Sequence, residues 1–370
     1  MKRVLRIATS LYNPNNVTDK SVGGTQIQVY RLTSALADHI LQDVFTFEPT
    51  DFNHNNINAF CCKYAMCKYY KSFYDLYRII KKTKYNCIHI HANGSLFPLI
   101  IGEFIRILFE IPIIYTFHCC RNATYIGNKI EVFIIPIINF IEKKCIRNAR
   151  CNIFLSKSVV ECLNDKGIIV NNTNYEIIGD AVIDVKNNNS DFKFSNKNIF
   201  FIGRLSREKG WDIFVQIANM LQDKPYKFHM YGSGKDSKKL MKMISKYNLS
   251  NLYYHGNVSN SVIFEKLKLA DIVVIPSYFE ELGSIVLEAG IMKKTVIASA
   301  TGALSEILSN KRGYVVNIGD VVGFCNAINK AVNNENEEMG EKLHKYIKDN
   351  YLLVESKSKH INLYDKYTTY

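Results

Sequence analysis

Three features are absent from this 370-residue sequence, and each absence argues against one class of protein. The longest apolar stretches, 96–109 and 130–141, are interrupted by charged residues or proline, so neither is predicted to cross a membrane. The ten cysteines include no Cys-x-x-Cys pair, which favours buried thiols in a reducing compartment over zinc sites or disulfides. The pattern Gly-x-Gly-x-x-Gly does not follow the first predicted strand, which argues against an NAD-dependent enzyme.

Short apolar segments alternate with helical patterns along the chain. The start of the sequence is basic, but Arg6 splits its apolar run, so a first β-strand is expected there instead of a signal peptide. Strands in the first half are predicted at 4–9, 44–47, 87–91, 113–117, 152–155 and 175–178. This alternation predicts an α/β protein whose parallel sheets are covered on both faces.

A polar segment without hydrophobic periodicity divides the chain. With 370 residues, 47% of them hydrophobic, the sequence can bury two cores of ordinary domain size. We therefore predict an N-terminal domain over 1–184, a linker over 185–198, a second α/β domain over 199–350 and a C-terminal helix over 351–370.

The segment 276–290 places two glutamates, Glu280 and Glu288, eight positions apart on either side of Gly283. A buried strand is predicted before this segment and a helix after the glycine. Such a junction leaves the backbone amides near Ser284 and Ile285 without partners, which creates an anion site. Glu288 can accept hydrogen bonds from a vicinal diol, while Glu280 stays in the loop beside the anion. A diphosphate joined to a ribose and a sugar is the ligand that this arrangement indicates.

A second loop in the same half carries two cations. The apolar strand 199–202 ends at Gly203, and Arg204 and Lys209 then flank a short loop before a helix that begins near Trp211. Taken alone, these cations are typical of a solvated surface.

Together these motifs resemble those of the retaining, nucleotide-sugar-dependent glycosyltransferases of family four. The pattern Glu-x7-Glu around Gly283 resembles the family signature, and 199–210 resembles its Gly-Arg-Leu-x3-Lys-Gly element. Three further segments resemble its later loops in the expected order: 231–234, 255–258 and 301–306. The resemblance covers 199–318 closely and the N-terminal half loosely. It implies the GT-B fold, in which two Rossmann-like doubly wound domains face a central cleft and the last helix crosses back to the first domain.

The resemblance also implies roles for the residues of the second half. Arg204 and Lys209, next to Gly203, neutralise the departing diphosphate, because its loss requires positive charge aimed at the developing oxyanion. Glu288 holds the ribose hydroxyls, and Glu280 orients the donor sugar or supports charge at the anomeric centre. Transferases without such cations hold a divalent metal through Asp-x-Asp, a pattern this sequence lacks. No metal and no separate cofactor are therefore expected.

In the first half, the resemblance is carried by short segments only. Gly23 and Gly24 resemble the family's Gly-Gly loop, whose backbone closes on the donor phosphates or the acceptor; a flexible loop is the alternative. His118 lies at the end of a predicted strand, where the family places a histidine that contacts the donor sugar, although a lone histidine can also be structural. Asp180 stands where the family has asparagine, and the segment 180–184 has one extra residue, which leaves its role open.

The predicted activity is transfer of a sugar from a nucleoside-diphosphate sugar to an acceptor hydroxyl, with retention at the anomeric carbon. Proteins of this family most commonly take part in the synthesis of cell-surface polysaccharide, lipopolysaccharide or other lipid-linked saccharides, so the resemblance implies such a role here. Two alternatives remain open. One is a nucleotide-sugar epimerase of the same fold, which needs no acceptor. The other is a non-catalytic carbohydrate-binding protein, against which the presence of both glutamates and both cations argues.

The formal net charge of +13 indicates an acidic partner or a solvated basic surface. Residues 63–84 contain seven lysines and arginines, six aromatic residues and a single carboxylate, Asp75. Basic residues among interfacial aromatics are typical of a helix that lies on an anionic membrane, and a solvated basic face is the alternative. Nucleic acid is not predicted as a partner, because no nucleic-acid-binding motif accompanies the charge. The expected location is the cytoplasm, peripheral to the inner face of the membrane.

Overall fold

The structure, a computed structural model, describes most of the chain. The described residues are 1–12, 23–47, 57–61, 69–124, 135–184, 198–333 and 337–368. They form two compact units: the first comprises Met1–Ala181 with Leu353–Tyr370, and the second comprises Val182–Leu352. Nearly all of the predicted linker, 185–197, lies outside the described residues.

The first unit is built on one sheet of seven parallel strands. They are β1 (Arg3–Ala8), β2 (Leu41–Thr46), β3 (Ile57–Cys61), β4 (Cys87–Asn93), β5 (Ile113–Cys119), β6 (Cys151–Phe154) and β7 (Tyr175–Ile177). Their order across the sheet is β3-β2-β1-β4-β5-β6-β7. The helices between them are α1 (Gly24–Leu36), α2 (Tyr69–Lys82), α3 (Leu96–Leu108), α4 (Arg121–Thr124), α5 (Ile135–Asn148) and α6 (Lys157–Asp165).

The second unit repeats this plan with six parallel strands. They are β8 (Asn198–Ile202), β9 (Lys227–Tyr231), β10 (Leu252–Tyr254), β11 (Ile272–Ile275), β12 (Thr295–Ser299) and β13 (Tyr314–Val316), in the order β10-β9-β8-β11-β12-β13. Its helices are α7 (Trp211–Met220), α8 (Ser237–Tyr247), α9 (Asn260–Leu269), α10 (Ser284–Ile291), α11 (Leu304–Leu308), α12 (Val321–Asn333) and α13 (Glu337–Tyr351). The α/β class predicted from the alternating pattern is confirmed.

The last helix of the chain, α14 (Leu353–Tyr367), belongs to the first unit although it follows the second one in sequence. It packs beside α1 and contributes Leu363, Tyr364 and Tyr367 to a core cluster of the first unit. Its outer side is tied down by an ion pair between Lys2 Nζ and Asp365 Oδ1 at 2.8 Å.

Strand order determines where a ligand can bind. In each sheet the order reverses once, between β1 and β4 in the first unit and between β8 and β11 in the second. Loops at the carboxyl ends of two such neighbouring strands diverge and leave a crevice, which is where open α/β sheets bind their ligands. In the second unit, the loops after β8 and β11 carry the cation and glutamate motifs.

For five of the six strands predicted in the first half, each predicted end lies within two residues of the observed end. The exception is β2, which begins three residues earlier than predicted. The predictions missed β3, a short edge strand with the sequence Ile-Asn-Ala-Phe-Cys. Among the described residues, no helix combines the length and the apolar content that crossing a membrane requires.

Candidate active site

The loop after β8 is held against its neighbours by two glycines. A Cβ atom at Gly210 would lie 1.9 Å from the carbonyl oxygen of Pro276, and one at Gly232 would lie 1.9 Å from that of Gly203. Gly210 ends the short 3₁₀ turn Arg207–Lys209 with φ +64°, a conformation that L-residues with a side chain rarely adopt. These contacts bring the ends of β8, β9 and β11 together.

Lys209 and Glu280 form an ion pair within this cluster of loops. Lys209 Nζ lies 2.6 Å from Glu280 Oε1, and the hydroxyl of Ser277 donates to the same oxygen at 2.9 Å. Glu280 is only 6% exposed, and a buried carboxylate requires compensating partners. Lys209 and Ser277 supply them as hydrogen-bond donors. The sequence analysis predicted Lys209 and Glu280 as site residues but missed Ser277. In the sequence, only its hydroxyl group three positions before Glu280 indicates such a role.

Arg204 lies at the rim of the same loops. Its side chain is 71% exposed, and its nearest carboxylate oxygen, Oε1 of Glu208, is 3.7 Å away. Burial raises the pKa of Glu208, but a hydrogen bond from the Ser206 hydroxyl, its own backbone amide and the charge of Arg204 together hold the pKa below its usual value. An exposed ion pair of this length is weak, so the guanidinium can turn toward an incoming anion.

The first turn of α10 supplies backbone donors beside the Glu280 carboxylate. Gly283 caps this helix with φ +79°, and a Cβ atom there would lie 3.5 Å from the carboxyl carbon of Glu280. Ser284 and Ile285 open the helix, so their amides have no acceptor within it. Glu288 follows one turn later on the same side of the helix and is 6% exposed.

A fourth loop, after β12, closes against the glutamates. A Cβ atom at Gly302 would lie 1.7 Å from the carbonyl oxygen of Glu280, and the amide of Ala303 donates to the carbonyl of Glu281 at 2.9 Å. The segment 301–306 resembles the family's Gly-Gly-x-x-Glu loop, with Ala303 in place of the second glycine. Its φ of −72° is ordinary for alanine, so the replacement is compatible with the loop.

The remaining predicted residues lie in the first unit. Gly23 caps helix α1, and its amide donates to the side-chain oxygen of Gln26 at 2.6 Å; Gly24 is the first residue of that helix. His118 lies near the end of β5, and its side chain is 5% exposed. Its Nε2 lies 3.1 Å from His91 Nδ1, and its Nδ1 lies 3.5 Å from Oδ1 of Asp180.

The structure therefore groups Gly203, Arg204, Lys209, Glu280 and Gly283 at the switch point of the second unit. The sequence missed His91, although two histidines at alternate positions of a predicted buried strand are an unusual signal. Within the described ranges, no group of three or more His, Cys, Asp or Glu side chains is arranged to hold a metal ion.

Comparisons with known proteins agree with these motifs. The model of Glycosyltransferase Family 4 matches residues 22–182, and the model of Glycosyl transferases group 1 matches residues 182–351. A relative in Niallia circulans, 2-deoxystreptamine N-acetyl-D-glucosaminyltransferase, is 26% identical over 359 residues, which cover 87% of this chain and 92% of that protein.

Solved structures share the fold. The sucrose-phosphate synthase of Thermosynechococcus elongatus superposes with a TM-score of 0.82 at 19% identity, over 99% of each chain. HepE of Anabaena, solved in complex with UDP-glucose, superposes with a TM-score of 0.77 at 14% identity, over 99% of this chain and 100% of that one. Since the two family models together span both units, the chain belongs to the glycosyltransferases of family four, with a group 1 domain as its second unit and the GT-B type of fold.

Proposed function

We propose that this glycosyltransferase moves a sugar from a nucleoside-diphosphate sugar to an acceptor hydroxyl with retention of the anomeric configuration and without a metal ion. The observation that carries the proposal is the Lys209–Glu280 ion pair at the N-terminus of α10, with Arg204 at the rim. Two cations and a helix N-terminus match the charge of a departing diphosphate.

In the proposed reaction, the bond between the anomeric carbon and the diphosphate oxygen breaks, and the acceptor oxygen bonds to the same carbon. The electron pair leaves with the diphosphate, where Arg204, Lys209 and the amides of Ser284 and Ile285 stabilise it. The leaving phosphate oxygen takes the proton of the acceptor hydroxyl. Glu280, fixed by two donors, orients the donor sugar or supports positive charge at the anomeric centre.

The donor is proposed to carry its nucleoside at Glu288, whose carboxylate accepts hydrogen bonds from the ribose hydroxyls. A uridine donor is supported by HepE, which was solved with UDP-glucose, and a hexosamine by the name of the Niallia relative. Synthesis of a cell-surface or lipid-linked saccharide is the proposed role, and the basic surface described below supports it.

Donor binding is tested by thermal shift against UDP, GDP, ADP, CMP, their sugar conjugates and NAD. One nucleoside diphosphate is expected to raise the melting temperature, and Glu288→Ala to weaken its binding about 10- to 100-fold, because the ribose loses a charged acceptor. Glu265→Ala, on the surface of α9, removes the same group and should bind like the parent.

If Glu288→Ala shows the same rise in melting temperature as the parent, Glu288 does not bind the donor. A rise with NAD alone would contradict a sugar-nucleotide donor. With the donor identified, the anomeric configuration of the product, read by NMR, decides between retention and inversion. If the protein epimerises the donor sugar in the absence of any acceptor, the alternative function of a nucleotide-sugar epimerase is favoured.

The outer surface of α2, α3 and α5 is proposed to bind an anionic membrane. Three large apolar side chains are exposed there: Phe104 and Ile107 on α3, and Phe140 on α5, which is 70% exposed. The rings of Phe73 on α2 and Phe104 are 5.3 Å apart, so these helices are contiguous. Lys144 on α5 pairs with Glu103 on α3 at 3.3 Å, which joins the third helix.

Cations border this surface, which supports an anionic lipid as its partner. Arg78 and Lys81 lie over the rings of Tyr74 and Tyr77, and Lys82 follows at the end of the helix. Aromatic residues with basic neighbours are typical of helices at an anionic bilayer surface. Part of the predicted segment, 63–68, lies outside the described residues.

We expect the protein to sediment at low salt with vesicles that contain phosphatidylglycerol, but not with vesicles of phosphatidylcholine alone. The double variant Ile107→Glu/Phe140→Glu should bind at least about tenfold more weakly, because it places negative charge on the apolar part of the surface. Val322→Glu, at an exposed valine of the second unit, serves as the control. If the parent protein does not sediment with the anionic vesicles, the membrane proposal is wrong and this surface is a solvated basic face.

A further inference from the structure

Helix α14 covers a layer of polar side chains on one face of the first sheet. Arg6 of β1 is fully buried, and its Nε donates to the side-chain oxygen of Gln42 at 2.7 Å. Its Nη1 lies 3.1 Å from Nδ1 of His89 and 3.4 Å from Nε2 of His91, both on β4. Tyr364 of α14 places its ring centre 5.7 Å from Cζ of Arg6 and its hydroxyl 2.5 Å from Nδ1 of His89. A buried cation and the imidazole beside it thus both contact α14.

The hydrogen bonds of His89 require a neutral imidazole. A guanidinium only donates, so Nδ1 of His89 must accept from Arg6, and it accepts from the Tyr364 hydroxyl as well. Burial raises the pKa of Tyr364, so this hydroxyl keeps the proton that it donates. The single proton of His89 is therefore assigned to Nε2, which lies 2.7 Å from Oγ1 of Thr116. A proton added at Nδ1 would break the bonds to both Arg6 and α14.

The layer contains a cation and neutral imidazoles but no counter-ion. Among the described residues, no hydrogen bond or ion pair of Arg6, His89 or Tyr364 goes to a carboxylate, and Nη2 of Arg6 has no partner. The carboxylate of Asp180 lies beyond the layer, 3.5 Å from Nδ1 of His118. The other charged or titratable groups near the layer are Lys2 before β1, Arg31 of α1, Cys87 and His91 of β4, His118 of β5, and Lys359 and His360 of α14.

Protonation of the imidazoles is disfavoured while α14 is docked. Burial lowers the pKa of His89 well below its usual value, and the nearby His91, Arg6 and His360 lower it further. Burial also lowers the pKa of His91, and it lowers the pKa of His360 to about 3. An imidazole in water takes up a proton at about pH 6.5. Below that pH, each imidazole that release of α14 exposes binds a proton that the docked form does not bind, so acid favours release.

We propose that Arg6, His89 and Tyr364 form an acid-released latch, which holds α14 on the first unit near neutral pH and frees it below about pH 6. In the released form, Nδ1 of His89 takes a proton from water. Redocking would then bury a second positive charge 3.1 Å from Nη1 of Arg6, without a carboxylate to compensate it. The protonated Nδ1 also no longer accepts from Tyr364, so α14 loses its hydrogen bond to the sheet.

Two native cysteines lie beneath α14 and report its release. Cys87 and Cys151 are fully buried in the core cluster to which α14 contributes Leu363, Tyr364 and Tyr367. Cys145 is equally buried, but it belongs to the core on the opposite face of the sheet, a cluster that includes no described residue of α14. Release of α14 therefore exposes the first two thiols, whereas unfolding of the whole unit exposes all three.

Release is measured in the full chain by the rate at which 4,4′-dithiodipyridine labels each cysteine at pH 7.5 and at pH 5.5, resolved by peptide mass spectrometry. Dividing the rates of Cys87 and Cys151 by that of Cys145 corrects for the pH dependence of the reagent. The ratios should rise about tenfold between the two pH values if His89 alone is exposed, and about 10³-fold if His91 and His360 are exposed with it. Unchanged ratios overturn the latch, whether no thiol reacts faster or all three do. The measurement needs no substrate, so it does not depend on the proposed function.

His89→Gln removes the titrating group but keeps its hydrogen bonds. The amide oxygen can accept from Arg6 and Tyr364, and the amide nitrogen can donate to Thr116, so α14 should stay docked at pH 7.5. Between the two pH values, the labelling ratios should rise about tenfold less than in the parent. His39→Gln, at an exposed histidine of the same unit, is the matched control and should behave like the parent.

An equal rise in His89→Gln and in the parent would show that His89 does not control release, which overturns the latch. If His89→Gln does not fold, the labelling ratios of the parent still decide whether acid frees α14 before the unit unfolds.

Discussion

Replacement of Arg204 by alanine is expected to lower kcat about 10²- to 10³-fold, with a much smaller change in KM for the donor. In the proposed reaction, the guanidinium stabilises charge that develops on the departing diphosphate, and an interaction made mainly in the transition state affects kcat. Because the side chain is 71% exposed and 3.7 Å from its carboxylate neighbour, its removal should leave the fold intact. Steady-state transfer rates of variant and parent measure the effect.

Arg207→Ala is the matched control for this variant. Arg207 is exposed in the same loop, so its replacement removes the same charge from nearly the same place and should change kcat only a few-fold. Near-parental turnover in Arg204→Ala would contradict the electrostatic mechanism. Equal losses in the two variants would mean that the net charge of the loop matters, and not the position of Arg204.

Gly210→Ala is expected to destabilise the second unit by about 2–5 kcal/mol and to abolish most of the activity. The added Cβ would meet the Pro276 carbonyl oxygen at 1.9 Å, and alanine is also strained at φ +64°. The loop after β8 must then move away from the loop after β11, which separates Lys209 from Glu280. Chemical denaturation followed by circular dichroism measures the stability.

Gly256→Ala separates the two contributions to that loss. Gly256 has φ +72°, close to the value at Gly210, but a Cβ atom there has no neighbour within 4 Å. Its replacement should cost only the conformational strain, about 1–2 kcal/mol. Similar losses at both glycines would show that backbone strain alone is responsible and that the packing between the loops contributes little.

The sequence predicted the fold class and most strands because parallel strands, buried on both faces, appear as short apolar runs. It missed β3, where Asn58 interrupts the apolar residues and the strand lies at the edge of the sheet. Periodicity identifies a strand by its buried residues, and an edge strand of five residues offers too few of them.

The predicted roles at the second unit depended on a family pattern, but the contacts between those residues did not follow from it. Lys209 and Glu280 are 71 positions apart, and their ion pair exists because Gly210 and Gly302 allow the loops to approach. The contact between Arg6 on β1 and His89 on β4 was not predictable for a related reason. Arg6 meets His89 only because β1 pairs with β4 in that register, and the sequence does not reveal strand order.

The position of α14 has a consequence for how this chain folds during synthesis. All seven strands of the first unit leave the ribosome before the second unit is made, yet Leu363 and Tyr364 fill the core beside Val4 and Ile114. Until that helix emerges, His89 lacks its hydrogen bond with the Tyr364 hydroxyl, and an apolar face of the sheet stays uncovered. The first unit therefore stays incomplete while the second is translated, and we expect the nascent chain to expose this apolar surface, a target for chaperones, throughout that time.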